Sequence, residues 1–143
     1  EDFARSHPGG SLGRRLLLHV EEVMRSGDDL PAVGPDTLLS AGLLEMSRKG
    51  LGMTTIVDEA RRVIGVFTDG DLRRALDRQL DVHATRMRDV MTARPKMARP
   101  RMLAAEAVHL METHRITALP VVDDADTLVG ALNVHDLLRA GVM

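Results

Sequence analysis

Cysteine is absent from the 143 residues, which removes disulfides, thiolate zinc sites and cysteine nucleophiles together. Tryptophan and tyrosine are absent too, and phenylalanine occurs only twice. The chain therefore lacks a platform for stacking single-stranded bases. A formal charge of −2 supplies no global field to hold a polyanion, so nucleic acid is not an expected partner. No apolar run approaches the roughly 20 residues that cross a bilayer, and no signal-peptide pattern is present. The expectation is a cytoplasmic protein without a membrane segment. An initiator methionine is also missing, and Glu1-Asp2-Phe3-Ala4 reads as the tail of a helix, so the chain is expected to be a fragment. What remains is an even mixture of 44% hydrophobic and 28% charged residues. At this length such a mixture suits one compact domain, or two small ones sharing an interface.

The second description is favoured by an internal repeat. Val57-Asp58 and Val122-Asp123 lie 65 positions apart, and the same offset relates Met46 to Met111, Gly65 to Gly130, Asp71 to Asp136 and Leu72 to Leu137. Upstream, Glu22-Val23-Met24 matches Asp89-Val90-Met91 at an offset of 67. The two-residue difference falls in loops that hold Pro31, Pro35, Pro95 and Pro100. Leu39, Leu43 and Met46 share one helical face, as do Ala104, Val108 and Met111. Short β-type runs follow at Thr54–Val57 and Leu119–Val122, each ending at an aspartate that opens a turn. Second runs span Val63–Thr68 and Leu128–Asn133, and helical segments start at Asp71 and Asp136. Each copy thus reads as lead, helix, strand, strand, helix. With so few aromatics neither copy buries a large core alone, so the two sheets are expected to pair. The polar stretch from Gln79 to Arg88 is too short to let them swing apart.

The richest candidate for chemistry is the stretch from Gly65 to Arg74. A strand ending at Thr68 and passing into a helix offers a hydroxyl and free backbone N–H groups to an anion. Asp71, in the first turn, can accept from vicinal hydroxyls, and Arg74 can reach a phosphate or carboxylate. Thr54, in the preceding strand, is counted with them. The matching set in the second copy is Asn133, Asp136 and Arg139, with His135 beside them. Thr68 and Asp71 at this spacing also form an ordinary capping pair, so capping and ligand binding both remain open. His109 and His114 are five apart, off the spacing that aligns ligands on a helix, and no metal or cofactor is expected.

The Val-Met leads, the Val-Asp turns and the Gly-x-x-Thr-x-x-Asp ending resemble the cystathionine-β-synthase-type (CBS) domain, twice over between residues 21 and 142. The resemblance implies an α/β (α+β) tandem pair with pseudo-two-fold symmetry that binds adenosyl or other nucleotide ligands and commonly dimerises. It assigns phosphate and ribose to Thr68 and Asp71. Asn133 departs from the usual Ser/Thr, so an equal second phosphate site is not implied. The segment Phe3 to Leu17, with Ser6-His7-Pro8-Gly9-Gly10, is similar to the junction between the sugar-isomerase (SIS) domain and the CBS pair of bacterial D-arabinose-5-phosphate isomerases. The implied layout is a linker at 1–20 from an isomerase domain not in this sequence, CBS copies at 21–80 and 88–143, and a linker at 81–87. His7 would then belong to the active site of the parent enzyme, which interconverts ribulose 5-phosphate and arabinose 5-phosphate on the way to the lipopolysaccharide sugar Kdo. The fragment alone is expected to be inactive. A nucleotide-sensing appendage on such an enzyme suggests feedback by CMP-Kdo, with its phosphate at Thr68, its ribose diol at Asp71 or Asp136, and its carboxylate at Arg74, Arg139 or His135. AMP or ATP sensing is the family-wide alternative, and a ligand-free homodimerisation module is the other.

Overall fold

A computed structural model describes residue 13 and residues 17–143; His7 and most of the 1–20 linker lie outside the described residues. The order is α1 (Val20–Val23), β1 (Ala32–Val33), α2 (Leu39–Lys49), β2 (Met53–Val57), β3 (Val63–Thr68), α3 (Asp69–Asp77), β4 (Thr92–Ala93), α4 (Ala104–His114), β5 (Ala118–Val122), β6 (Leu128–Asn133) and α5 (Val134–Arg139). Leu39 and Met46 of α2 are buried, as are Ala104 and Met111 of α4, so the helical spacing read from the sequence selects the inward faces. The β-branched run Thr54-Thr55-Ile56-Val57 pairs antiparallel with β3, and β5 pairs in the same way with β6. Helices α3 and α5 begin two residues before the expected aspartates. Thr68 and Asn133 are their N-caps, which puts Asp71 and Asp136 at the third helical position.

At each hairpin turn an aspartate carboxylate takes up the backbone. Asp58 accepts from the N–H groups of Ala60 and Arg62 at 3.0 and 2.9 Å, and Asp123 from those of Ala125 and Thr127, both at 2.9 Å. These donors, Arg62 N–H first for Asp58 and Thr127 N–H first for Asp123, hold both carboxyls below the usual range. The two hairpins then grip one another: Val63 N–H donates to Asp126 O at 3.0 Å and Leu128 N–H to Arg61 O at 2.9 Å.

The two sheets share one plan. In the first, the order is β1-β2-β3-β4, with β1 parallel to β2 and the other pairs antiparallel. In the second, single bridges stand for the outer strands: Ala98 pairs parallel with Val121, and Arg25 antiparallel with Ala131. The two-residue length difference is thereby confined between Arg25 and Val33 in one copy and Thr92 and Ala98 in the other. The plan also contains an exchange that the repeat alone does not announce. β4 comes from the lead of the second copy yet closes the first sheet, while Arg25, from the first lead, closes the second.

Glycine makes the exchange possible. A Cβ on Gly65 would lie 2.5 Å from Met91 Sδ and 3.0 Å from the Thr92 carbonyl oxygen, and one on Gly130 would collide with Met24 Sδ. The core follows the exchange. Val20 packs with Ala104, Met111, Leu119 and Leu137 of the second copy. Met87 packs with Leu39, Met46, Ile56 and Phe67 of the first. Between them a third cluster joins Leu51, Met53 and Val66 to Ala118, Val122 and Ala131. No helix among the described residues is long and apolar enough to cross a membrane.

Candidate functional site

Where the two copies meet, the fold leaves a cleft of about 480 Å³, within the range of small-molecule sites. One wall is the end of β3 and the start of α3, with Val66, Thr68, Gly70 and Arg74. The other comes from the second copy: Thr92 and the turn Arg94-Pro95-Lys96, then Arg115 to Ala118 where α4 passes into β5. Val66, Ile116, Ala118 and Pro120 make an apolar floor. Four cations, Arg74, Arg94, Lys96 and Arg115, line the cleft against one carboxylate, Asp69. With the N-terminus of α3 opening between them, the cleft suits an anion that also carries a flat apolar part.

Thr68 and Arg74 line this cleft, and Asp71 stands behind them. Its carboxylate is 4% exposed and saturated. Oδ2 accepts from the backbone N–H and hydroxyl of Thr68 at 2.9 and 3.2 Å, and Oδ1 from Arg74 Nη2 at 2.6 Å and the Thr92 hydroxyl at 2.8 Å. Asp71 thereby ties the cap of α3 to the lead of the other copy. Thr54 is fully buried in β2, with its hydroxyl directed to Thr55 O at 3.3 Å.

The second copy repeats the carboxylate hub with a different guest. Asp136 accepts from Asn133 N–H at 3.0 Å and Arg139 Nη2 at 2.5 Å, and Arg25 Nε lies 3.3 Å from both of its oxygens. Arg25 stands where Thr92 stands in the first copy. Its guanidinium extends to Lys49 O at 3.5 Å, while Asn133 Nδ2 donates to Leu51 O at 3.4 Å. Side chains thus bridge the copies where the first cleft is open. His135 and Arg139 are exposed on α5 and do not line the open cleft. Among the described residues no group of three His, Asp or Glu side chains gathers as a metal site would require.

Thr92, Arg94, Lys96 and Arg115 are cleft residues that the sequence reading did not select. They enter from the other copy, through a proline loop and a helix end. Two of them had a signal: at the repeat offsets Arg94 matches Gly27, and Arg115 matches Gly50.

The family described as CBS domain matches residues 20–78 and 87–142. Arabinose 5-phosphate isomerase KdsD of Pseudomonas aeruginosa is 60% identical over all 143 residues of this chain, which cover 44% of that protein. The same enzyme of Escherichia coli K12 is 51% identical over all of this chain and 43% of its own length. The chain thus spans less than half the length of these relatives. Among solved structures, CBSX2 of Arabidopsis thaliana in complex with AMP has a TM-score of 0.74 at 23% identity, covering 87% of this chain and 96% of that chain. The CBS domain pair of protein MJ0100, in complex with 5′-methylthioadenosine and S-adenosyl-L-methionine, has a TM-score of 0.77 at 20% identity, covering 86% and 94%. Both likenesses show the same fold: a tandem pair of mixed α and β structure.

Proposed function

The chain belongs to the CBS domain family, which it matches twice, and on that footing we propose that it is the regulatory pair of an arabinose 5-phosphate isomerase, binding an anionic nucleotide or nucleotide sugar between its copies. The observation that carries this reading is the open cleft with four cations at the start of α3. CMP-Kdo is the favoured ligand because it offers each wall a partner. Its phosphate meets the Thr68 hydroxyl and the N–H groups that open α3, and its carboxylate meets Arg94, Lys96 or Arg115. The cytosine lies on the floor of Val66, Ile116 and Ala118. A ribose diol reaches Asp71 only by displacing Thr92 or Arg74, so Asp71 serves the site chiefly by holding its wall together. Because ligand contacts come from both copies, occupancy favours one arrangement of the pair, and an attached isomerase domain would sense that choice. His7, preceding the described residues, would belong to that domain's chemistry.

A second reading, an adenine-nucleotide sensor, is favoured by the AMP held by CBSX2 and the adenosyl ligands held by the MJ0100 pair. Calorimetry with CMP-Kdo, CMP, AMP and ATP chooses between them. Heat from CMP-Kdo, with CMP weaker, is expected. Silence from CMP-Kdo at millimolar concentration, with binding of AMP or ATP, selects the adenine reading. Silence from all four removes nucleotide sensing. Homodimerisation would then remain, a role that exposed Leu44, Leu76 and Leu138 on α2, α3 and α5 support.

A further inference from the structure

The copies differ in the cations that line the cleft, and the backbone records the difference. Arg115 caps α4 with φ 55°, whereas its repeat partner Gly50 caps α2 with φ 67°. Arg94, two residues after Thr92, has φ 47°; Gly27, two residues after Arg25, has φ 68°. All four sit in the left-handed region, which glycine enters freely and a residue with a Cβ does not. Space is not the reason for glycine, since a Cβ on Gly27 or Gly50 would meet nothing within 4 Å. The fold therefore prefers glycine at both positions, and beside the open cleft it carries arginine instead. Strain kept at an exposed position points to a task outside the protein's own packing.

The side chains agree. Arg25, Arg74 and Arg139 are each paired with an aspartate. Among the described residues Arg94, Lys96 and Arg115 have no ion-pair partner. The loop that corresponds to Arg94-Pro95-Lys96 reads Gly27-Asp28-Asp29, two carboxylates in place of two cations. The left-handed pair Arg61 and Asp126 supplies a contrast, because it occupies matching hairpin positions in both copies, outside the cleft.

We infer that Arg94 and Arg115, with Lys96, determine the specificity of the cleft by selecting a ligand with two separate anionic groups, one for the Thr68 wall and one for the arginine wall, and that each chain binds one such ligand. This rests on reading the cleft as the nucleotide site. A ligand with a single phosphate satisfies the first wall and leaves the arginines in water. A ligand with two separate anionic groups spans the cleft and joins the copies.

The test is calorimetry of the 143-residue chain with cytidine, CMP and CMP-Kdo and, in parallel, adenosine, AMP and ADP, alongside thermal melts of the unliganded protein. The wild type is expected to bind the member with two anionic groups, CMP-Kdo or ADP, of at least one series about tenfold or more tighter than the member with a single phosphate group, one to one. Arg94→Gly and Arg115→Gly should each lose that gain and keep the weaker affinity within about threefold, while their melting temperatures stay at or above the wild-type value. Arg61→Gly should keep the full gain. Variants that retain the gain, or that melt several degrees lower, overturn the inference and leave the cleft's assignment standing. A wild type that binds none of the six ligands overturns the assignment itself, and the inference with it.

Discussion

Met87→Ala lowers the stability of the chain by about 2–5 kcal/mol and loosens the first copy, although residue 87 opens the second family match, at 87–142. Met87 is fully buried with Leu39, Met46, Ile56 and Phe67. Its packing is close enough that a Cβ on Gly42 of α2 would lie 2.5 Å from its Sδ. Truncation removes the apolar surface and leaves a cavity walled by the backbone of α2, which cannot collapse inward without bending the helix. Urea denaturation measures the loss, and hydrogen exchange locates it. Protection should fall first in α2, β2 and β3, and Leu76→Ala, at an exposed position, should change stability by no more than about 0.5 kcal/mol. A cost below about 1 kcal/mol, or protection lost first in α4 and β5, would contradict the exchange of leads.

Asp71→Ala is expected to cost about 3 kcal/mol and to weaken the nucleotide at least tenfold. The estimate rests on the Thr68 and Thr92 groups, whose hydrogen bonds to a buried charged acceptor contribute roughly 1.5–3 kcal/mol each, with partial recovery through water. Arg74 adds little, because its side chain is 67% exposed and its ion pair is screened. Affinity falls because the same carboxylate fixes the cap that the phosphate uses and holds Thr92 against the first copy. Chemical denaturation and titration on one preparation separate the two effects. Asp71→Ala therefore cannot distinguish a sensor from a scaffold, since it weakens both. A variant of full stability would contradict the hub, and one with the stability loss but unchanged affinity would place the ligand elsewhere.

Much of this was legible in the chain because it is written twice. The spacing of Leu39, Leu43 and Met46 gains its force from Ala104, Val108 and Met111, and the strands Val63–Thr68 and Leu128–Asn133 keep the same bounds in the structure. The exchange of leads was not legible, because two or three residues carry no periodicity and their pairing is settled by tertiary packing. Its trace was the mid-strand glycines Gly65 and Gly130, each admitting a methionine of the other copy.

The site was half legible for a related reason. Residues at matching positions of the copies, Thr68 with Asn133, Asp71 with Asp136 and Arg74 with Arg139, draw attention, and one of those pairs, Asp71 with Asp136, is the buried hub that organises each cap. The cations that set one cleft apart stand where the copies disagree. Repetition exposes the scaffold, and departure from it exposes the site.

An amide chemical-shift titration of the labelled chain with CMP-Kdo locates the ligand directly. Shifts that saturate at one equivalent and centre on Thr68, Gly70, Arg94 and Thr117, with Gly50, Asn133 and His135 little changed, are the expected result. Shifts centred on Gly50, Asn133 and His135, or none at millimolar ligand, would contradict CMP-Kdo binding in the open cleft.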